Sequence, residues 1–128
     1  MVVSRAEVLA QVRSAGLVPA RWQEVLADHR PELLAAFLEW SDSAQQCDAL
    51  GVGVRELIIF CLDSAVKWPS PFIDNHIGKA LDAGITEEQL VEAVVLTGQI
   101  VGPHSMNHGL TALAGVLDRR ADASRGVE

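Results

Sequence analysis

No tyrosine occurs in these 128 residues, and Trp and Phe contribute only three each, so the core has to be built from Leu, Val, Ile and Ala. Cysteine is nearly as scarce. Cys47 and Cys61 form neither a Cys-x-x-Cys pair nor a disulfide framework, and Cys61, inside an apolar helical run, reads as a buried, inert thiol. Basic residues are outnumbered, ten Lys and Arg against 17 Asp and Glu, for a formal net charge of −7. With no basic stripe, that balance argues against a phosphate-backbone partner, so no nucleic acid is expected. Also missing is an uncharged apolar run of membrane-spanning length. The opening residues MVVSRAEVLAQVRSAG place charges where an export signal needs its apolar segment. The expectation is a cytoplasmic protein with no membrane partner. No segment shows convincing strand alternation.

What is present is helical. Apolar residues make up 49% and charged residues 21%, a globular balance in a chain of single-domain length. Ser4 caps a first helix, Arg5 to Ala15, stopped by Gly16. Pro19 suits the first turn of a second, and Pro31 starts a third that fades through Ser41 to Gln46 and ends at a Gly51-Val52-Gly53 turn. The fourth, Val54 to about Lys67, is apolar nearly all round and is expected at the centre, with Glu56, Asp63 and Lys67 as its polar exceptions. Pro69 and Pro71 open a fifth, Phe72 to Ala83. Thr86 to Gln89 is a capping box ahead of a sixth, and Gly102-Pro103 separates it from a seventh, His104 to Ala121. The fold class is all-α, with six to seven helices. Residues 1–50 are expected to pack on a core of 51–121, with 122–128 a polar tail, as a single domain overall.

Three of the four histidines fall between Arg55 and Leu113. His76 shares a helix face with Phe72, Ile73, Lys79 and Ala80, facing the helix that carries Glu56 and Lys67. A neutral imidazole beside a carboxylate is how general acid–base sites are built, because the carboxylate fixes the tautomer. His104 and His108, four apart, stack on one helix face, and with His76 they could offer three imidazoles to a divalent metal such as zinc. Each residue also has a plainer reading. His76 could be a satisfied core histidine, Glu56 a first-turn acid favoured by the helix dipole, and His108 a contact to a neighbouring subunit. In an acidic protein a carboxylated substrate needs a cation, and Arg55, Lys67 and Lys79 lie nearest His76 in sequence.

Arg55-Glu56-Leu57, then His76 followed by Ala80-Leu81-x-Ala83-Gly84-x-Thr86-x-Glu88-x-Leu90-x-Glu92, then Gly102-Pro103 and a small-residue helix, resembles the carboxymuconolactone decarboxylase family. That family shares its fold with the alkylhydroperoxidase D-like proteins. The likeness covers about half the chain and implies an all-helical subunit assembled as a trimer or hexamer. In the peroxidase branch a Cys-x-x-Cys pair precedes the histidine; those positions here hold Pro69 and Phe72, so thiol peroxidase activity is not expected. The decarboxylase branch needs neither cysteine nor cofactor. The resemblance implies loss of carbon dioxide from a γ-carboxymuconolactone-like substrate.

The resulting expectation is a cofactor-independent carboxy-lyase acting on a small carboxylated or lactone substrate. His76 is its acid–base, Glu56 orients it, and His104 and His108 line the same pocket. Lys67, Trp68, Phe72 and Asn75 are expected to bind substrate. The alternatives are a metal-dependent hydrolase or lyase using His76, His104 and His108, and a non-catalytic oligomeric binding protein.

Overall fold

The computed structural model describes residues 2–126, and within them the backbone forms seven helices and no strand. They are α1 (Arg5–Ser14), α2 (Arg21–His29), α3 (Pro31–Gln45), α4 (Gly51–Val66), α5 (Phe72–Asp82), α6 (Glu87–Val101) and α7 (Pro103–Gly126). No helix among these residues is long and apolar enough to cross a membrane. The chain divides into two compact units, Met1–Asp48 and Ala49–Glu128.

The first unit holds α1 to α3. Ser4 and Glu7 close a capping box, the Ser4 hydroxyl accepting from Glu7 N–H at 3.2 Å and the Glu7 carboxylate from Ser4 N–H at 2.8 Å. Those bonds hold the Glu7 carboxyl below its ordinary value. Val8 and Leu9 of α1, Ala27 of α2 and Leu34 of α3 form the core. Pro19 lies outside α2 rather than in its first turn: Ala20 is the N-cap, and its N–H is taken up by the Gln23 side chain at 2.8 Å. The helix therefore starts two residues later than a first-turn Pro19 would give. On α3, Leu34 is fully buried, while Trp40 stays exposed beside Phe37.

The second unit holds α4 to α7. Gly51-Val52-Gly53 is the first turn of α4 rather than a break, so the helix starts three residues before Val54. Gly51 tolerates the entry because its φ of 71° suits a residue without a Cβ. α4 touches α5, α6 and α7 and is central to the unit, yet it is not buried all round. Its inner stripe is Glu56, Phe60 and Ser64, with Leu57 and Cys61 half-buried alongside. Three neighbours cover one side of the cylinder, and Ile58, Leu62 and Val66 turn away from the unit's core. Ile73, Ile77 and Ala80 of α5, Leu90 and Val94 of α6, and Leu113 and Val116 of α7 complete the core with Phe60.

Two local features set how α4, α5 and α7 meet. α4 ends at Lys67 in the left-handed conformation (φ 56°), with Trp68 N–H returning to the Asp63 carbonyl at 2.8 Å. This is the hydrogen-bonding of a Schellman stop, with lysine where glycine is usual. The Thr86 capping box starts α6 as the sequence indicates. Gly102, at φ 127°, then lets the chain turn into Pro103, the first residue of α7. The polar tail expected from residue 122 is instead helical as far as Gly126; Val127 and Glu128 lie outside the described residues.

The closest approach is at Gly109 of α7. A Cβ built there would sit 2.5 Å from both Ser64 Oγ and Val94 Cγ2. Ser64 cannot easily yield, because its hydroxyl donates to the Phe60 carbonyl at 2.7 Å in a fully buried position. Gly109→Ala is therefore expected to destabilise the protein by about 1–3 kcal/mol through overpacking. That loss exceeds the gain of about 1 kcal/mol that alanine brings to a helix interior. Chemical denaturation of wild type and variant checks it, and unchanged stability would show that α7 does not approach α4 this closely.

Candidate active site

Glu56 is the one acidic side chain on the inner stripe of α4, only 5% exposed. A carboxylate in that position requires a hydrogen-bonding partner, because burial without one is costly. The partner comes from α5. His76 presents Nδ1 to Glu56 Oε2 at 2.5 Å, with the histidine side chain 25% exposed. Helical periodicity explains the meeting. Ile73, Ile77 and Ala80 are buried against the core, and His76 sits on the edge of that face, one side towards α4 and the other towards solvent.

With Glu56 ionised, Nδ1 carries the proton and donates it to the carboxylate. Nε2 is then the ring nitrogen that takes or gives a proton, and it makes no hydrogen bond to a described residue. A carboxylate-oriented imidazole with its second nitrogen unengaged is competent for general acid–base chemistry.

A third group belongs to this neighbourhood. Asp63 lies seven residues after Glu56, two turns along the same side of α4. Its Oδ2 is buried and has no hydrogen-bond partner among the described residues. Burial pushes the Asp63 carboxyl above its ordinary value; the nearby His76 works against that shift, and the Glu56 charge adds to it. Asp63 stood out in the sequence only as a polar exception in an apolar helix. Its seven-residue spacing from Glu56 was the signal that could have joined it to the site.

The other expected residues fall elsewhere. His108 is bonded through Nε2 to the Trp68 carbonyl at 2.7 Å, so it ties α7 to the turn after α4. His104 is exposed on the first turn of α7. Among the described residues no three His, Cys, Asp or Glu side chains are placed to hold a metal ion, so His76, His104 and His108 do not converge as the three-imidazole arrangement requires. The physical reason is local: Glu56 engages one ring, a backbone carbonyl the second, and the third faces outward. Lys67, Trp68 and Phe72 cluster around the α4–α5 turn, where the two rings sit 5.9 Å apart and tilted by 49°. All three are exposed.

Asn75 lines a shallow groove between α5 and α7 with Ser70, Asp74, Arg119 and Arg120. A smaller cleft of about 240 Å³ beside it takes in His108, Thr111 and Asp74. Neither cleft is lined by His76. The polar side chains there are engaged with one another. Asp74 Oδ2 accepts from Ser70 Oγ at 2.5 Å and from Arg119 Nη2 at 2.9 Å, and Arg120 donates to the Gly78 carbonyl and to Asp82. Ser70, His108 and Asp74 share a cleft, but the serine bonds directly to the aspartate and the histidine to a carbonyl. They are not in the order of a nucleophilic triad.

Compared with known proteins, the chain matches no family model, no curated protein and no solved structure. The resemblance to the carboxymuconolactone decarboxylase family thus rests on the residue pattern of 55–103.

Asp63 carries a pH signature. A carboxyl whose folded value lies above its unfolded one binds its proton more tightly in the native state. Its contribution to stability is full below the ordinary aspartate range and is lost as pH rises through the raised value. Asp63→Asn cannot ionise and is expected to lack that loss, so the stability difference between variant and wild type shifts in the variant's favour over that window. Denaturation midpoints of both proteins across the acidic and neutral range measure it. A difference independent of pH would mean that Asp63 titrates alike in the folded and unfolded chains.

Proposed function

We propose that this protein is a cofactor-independent acid–base enzyme acting on a small carboxylated or lactone-like substrate, with decarboxylation as the leading reaction. The observation that carries this reading is the buried Glu56 carboxylate bonded at 2.5 Å to Nδ1 of His76. The pair orients the ring and leaves Nε2 for the substrate, which is what protonation of a developing carbanion requires. The residue pattern resembling the decarboxylase family supports the same chemistry.

In the proposed reaction the bond from substrate carbon to carboxylate breaks, carbon dioxide leaves, and the electron pair stays on carbon, where the lactone delocalises it. His76, protonated at Nε2, then delivers the proton to that carbon. Glu56 stabilises the imidazolium and holds the ring in place. Lys67 is the cation proposed to hold the substrate's carboxylate, with the Trp68 and Phe72 rings as an apolar wall; Asn75, in the α5–α7 groove that His76 does not line, takes no part in this step. His104 and His108 are proposed only to border the substrate's approach.

The protein is further proposed to work as a homo-oligomer. Ile58, Leu62 and Val66 of α4 and Val95, Leu96 and Ile100 of α6 turn away from their unit's core, with Ile100 84% exposed. Apolar side chains so arranged are characteristic of association surfaces. Light scattering on the purified protein is expected to give a multiple of the 13.7 kDa chain mass. A charge introduced by Leu62→Glu is expected to lower it. A monomer in the wild type would remove this part of the proposal.

The test of function is carbon dioxide release from γ-carboxymuconolactone. His76→Ala is expected to abolish turnover, a loss of about 100-fold or more for a general acid–base, while the helical circular dichroism signal is retained. Glu56→Gln is expected to slow turnover less, since the amide still reaches the ring but does not stabilise its charged form. A well-folded His76→Ala protein that turns over at the wild-type rate would take His76 out of the mechanism.

A further inference from the structure

We propose that the cleft between α5 and the middle of α7 is a second small-molecule site. Its ligand is a short carboxylate bearing a hydroxyl or ammonium group on the carbon beside the carboxylate. Neither Glu56 nor His76 lines this cleft, so the proposal does not rest on the acid–base reading of that pair.

Helical register builds the cleft. His108, Thr111, Ala112, Gly115 and Arg119 follow one another at three- and four-residue spacing and form a single stripe along α7. That stripe borders the buried one of Ser105, Gly109, Leu113 and Val116, which seats α7 on the core. The other side is formed by Ile73 and Asp74 of α5 and by Ser70 of the preceding turn. The space measures about 240 Å³, below the roughly 300–1,000 Å³ of pockets for drug-sized ligands. Its occupant is therefore a molecule of a few carbons.

Gly115 keeps that space open. A Cβ built there would lie 3.3 Å from Arg119 Nη1, so the guanidinium folds back over this part of the stripe. Glycine is an unfavourable choice in a helix interior, and here its missing side chain is what leaves the room.

The hydrogen bonds already made decide what the cleft recognises. The Trp68 carbonyl can only accept, so His108 Nε2 donates to it at 2.7 Å and carries the ring's proton. In the neutral imidazole Nδ1 is then an acceptor, and it has no hydrogen-bond partner among the described residues. Ser70 Oγ donates to Asp74 Oδ2, and Thr111 Oγ1 donates to the Asn107 carbonyl at 2.7 Å, so both hydroxyls offer lone pairs only. Asp74 Oδ2 is taken by Ser70 and Arg119, which leaves Oδ1 as a further acceptor.

Against these acceptors stands one cation. Arg119 gives Nη2 to Asp74 at 2.9 Å, and its Nε and Nη1 groups make no hydrogen bond to a described residue. Arg120 is spent on Asp82 and the Gly78 carbonyl and does not line the cleft. A guanidinium with donors to spare matches a carboxylate. The acceptors around it match a hydroxyl or ammonium on the neighbouring carbon, and Ile73 and Ala112 supply apolar contact for the remainder.

Titration of the full-length protein with L-lactate, L-alanine and propionate tests this, with ionic strength held constant by chloride. The probes share a carbon skeleton and differ beside the carboxylate, which carries a hydroxyl, an ammonium or neither. Binding is read from the NMR signals of the Arg119 side chain and the His108 ring. Lactate, alanine or both are expected to give saturable shifts at both residues, and the stronger of the two identifies the donor. Propionate is expected to bind about tenfold more weakly, for want of the hydrogen bonds to the acceptors. Arg119→Gln is expected to weaken binding by about tenfold or more, the loss of a charge-assisted contact. Gly115→Leu, which favours the helix and fills the cleft, is expected to abolish it. Arg125→Gln removes a cation of the same helix outside the cleft and is expected to leave it unchanged.

No saturable shift with lactate or alanine overturns the proposal. So does propionate binding equally well, which would show a surface cation attracting any anion, and so does binding that survives Gly115→Leu. Should Arg119→Gln loosen α7, the probe comparison and Gly115→Leu decide, both in proteins that keep the arginine. None of these readouts involves carbon dioxide release. Failure here leaves the Glu56–His76 reading standing, and failure of that reading leaves this site.

Discussion

A carboxylate in the core of a helical unit constrains everything around it. Glu56 occupies a position on α4 where the neighbouring inward residues are Phe60 and Ser64, so its charge is out of contact with water. Leaving such a group without its partner costs roughly 3–5 kcal/mol. His76 is the partner, and its ring reaches Glu56 only if α5 lies against α4 with Ile73 and Ile77 pressed into the core. The turn between the two helices makes that possible by stopping α4 abruptly at a left-handed Lys67. The same short path from α4 to α5 brings Trp68 and Phe72 together and places the Trp68 carbonyl where His108 can bond to it.

The histidines illustrate how one residue type is put to different uses by its surroundings. His76, half-withdrawn and held by a carboxylate through Nδ1, makes no hydrogen bond through Nε2 to a described residue. His108 spends Nε2 on a backbone carbonyl and fastens α7 across the α4–α5 turn. His104 has neither role and lies on the surface. The arginines of α7 follow the second pattern. Arg119 and Arg120 reach across to Asp74, Asp82 and the Gly78 carbonyl, so the cations of that face serve to hold α7 on α5. Glu56 and His76 are thereby left as the buried carboxylate–imidazole pair of the unit.

Packing decides how rigid that centre is. Gly109 lets α7 come within van der Waals reach of Ser64 and Val94, and Ser64 lies one residue beyond Asp63 on α4. Small residues at that crossing keep the backbone carrying the centre in place without filling space that a larger side chain would need. The opposite side of α4 is the reverse case, with Ile58, Leu62 and Val66 turned outward from the unit. α4 thus carries Glu56 and Ser64 among apolar neighbours on its inner side and a stripe of apolar residues on its outer side.

The helices themselves were legible from residue order, because their signals are local. Ser4, Pro31, Thr86 with Gln89, and Gly102-Pro103 each act within one turn of backbone, and each marks a helix end. So was the pairing of Glu56 with His76 as a possibility, since a lone acid in an apolar helix and a histidine on the edge of the next are visible as exceptions to their surroundings. Where α4 begins, and how far α7 runs into its polar end, depended on cooperative helix propagation past Gly51 and residue 122, which composition undervalues. Tertiary structure alone decided which of the exposed-looking polar residues met. It placed His108 on a carbonyl forty residues away and left His104 outside. Periodicity sets which face of a helix a residue occupies, but not the angle at which two helices cross, and a hydrogen bond of 2.5 Å depends on that angle.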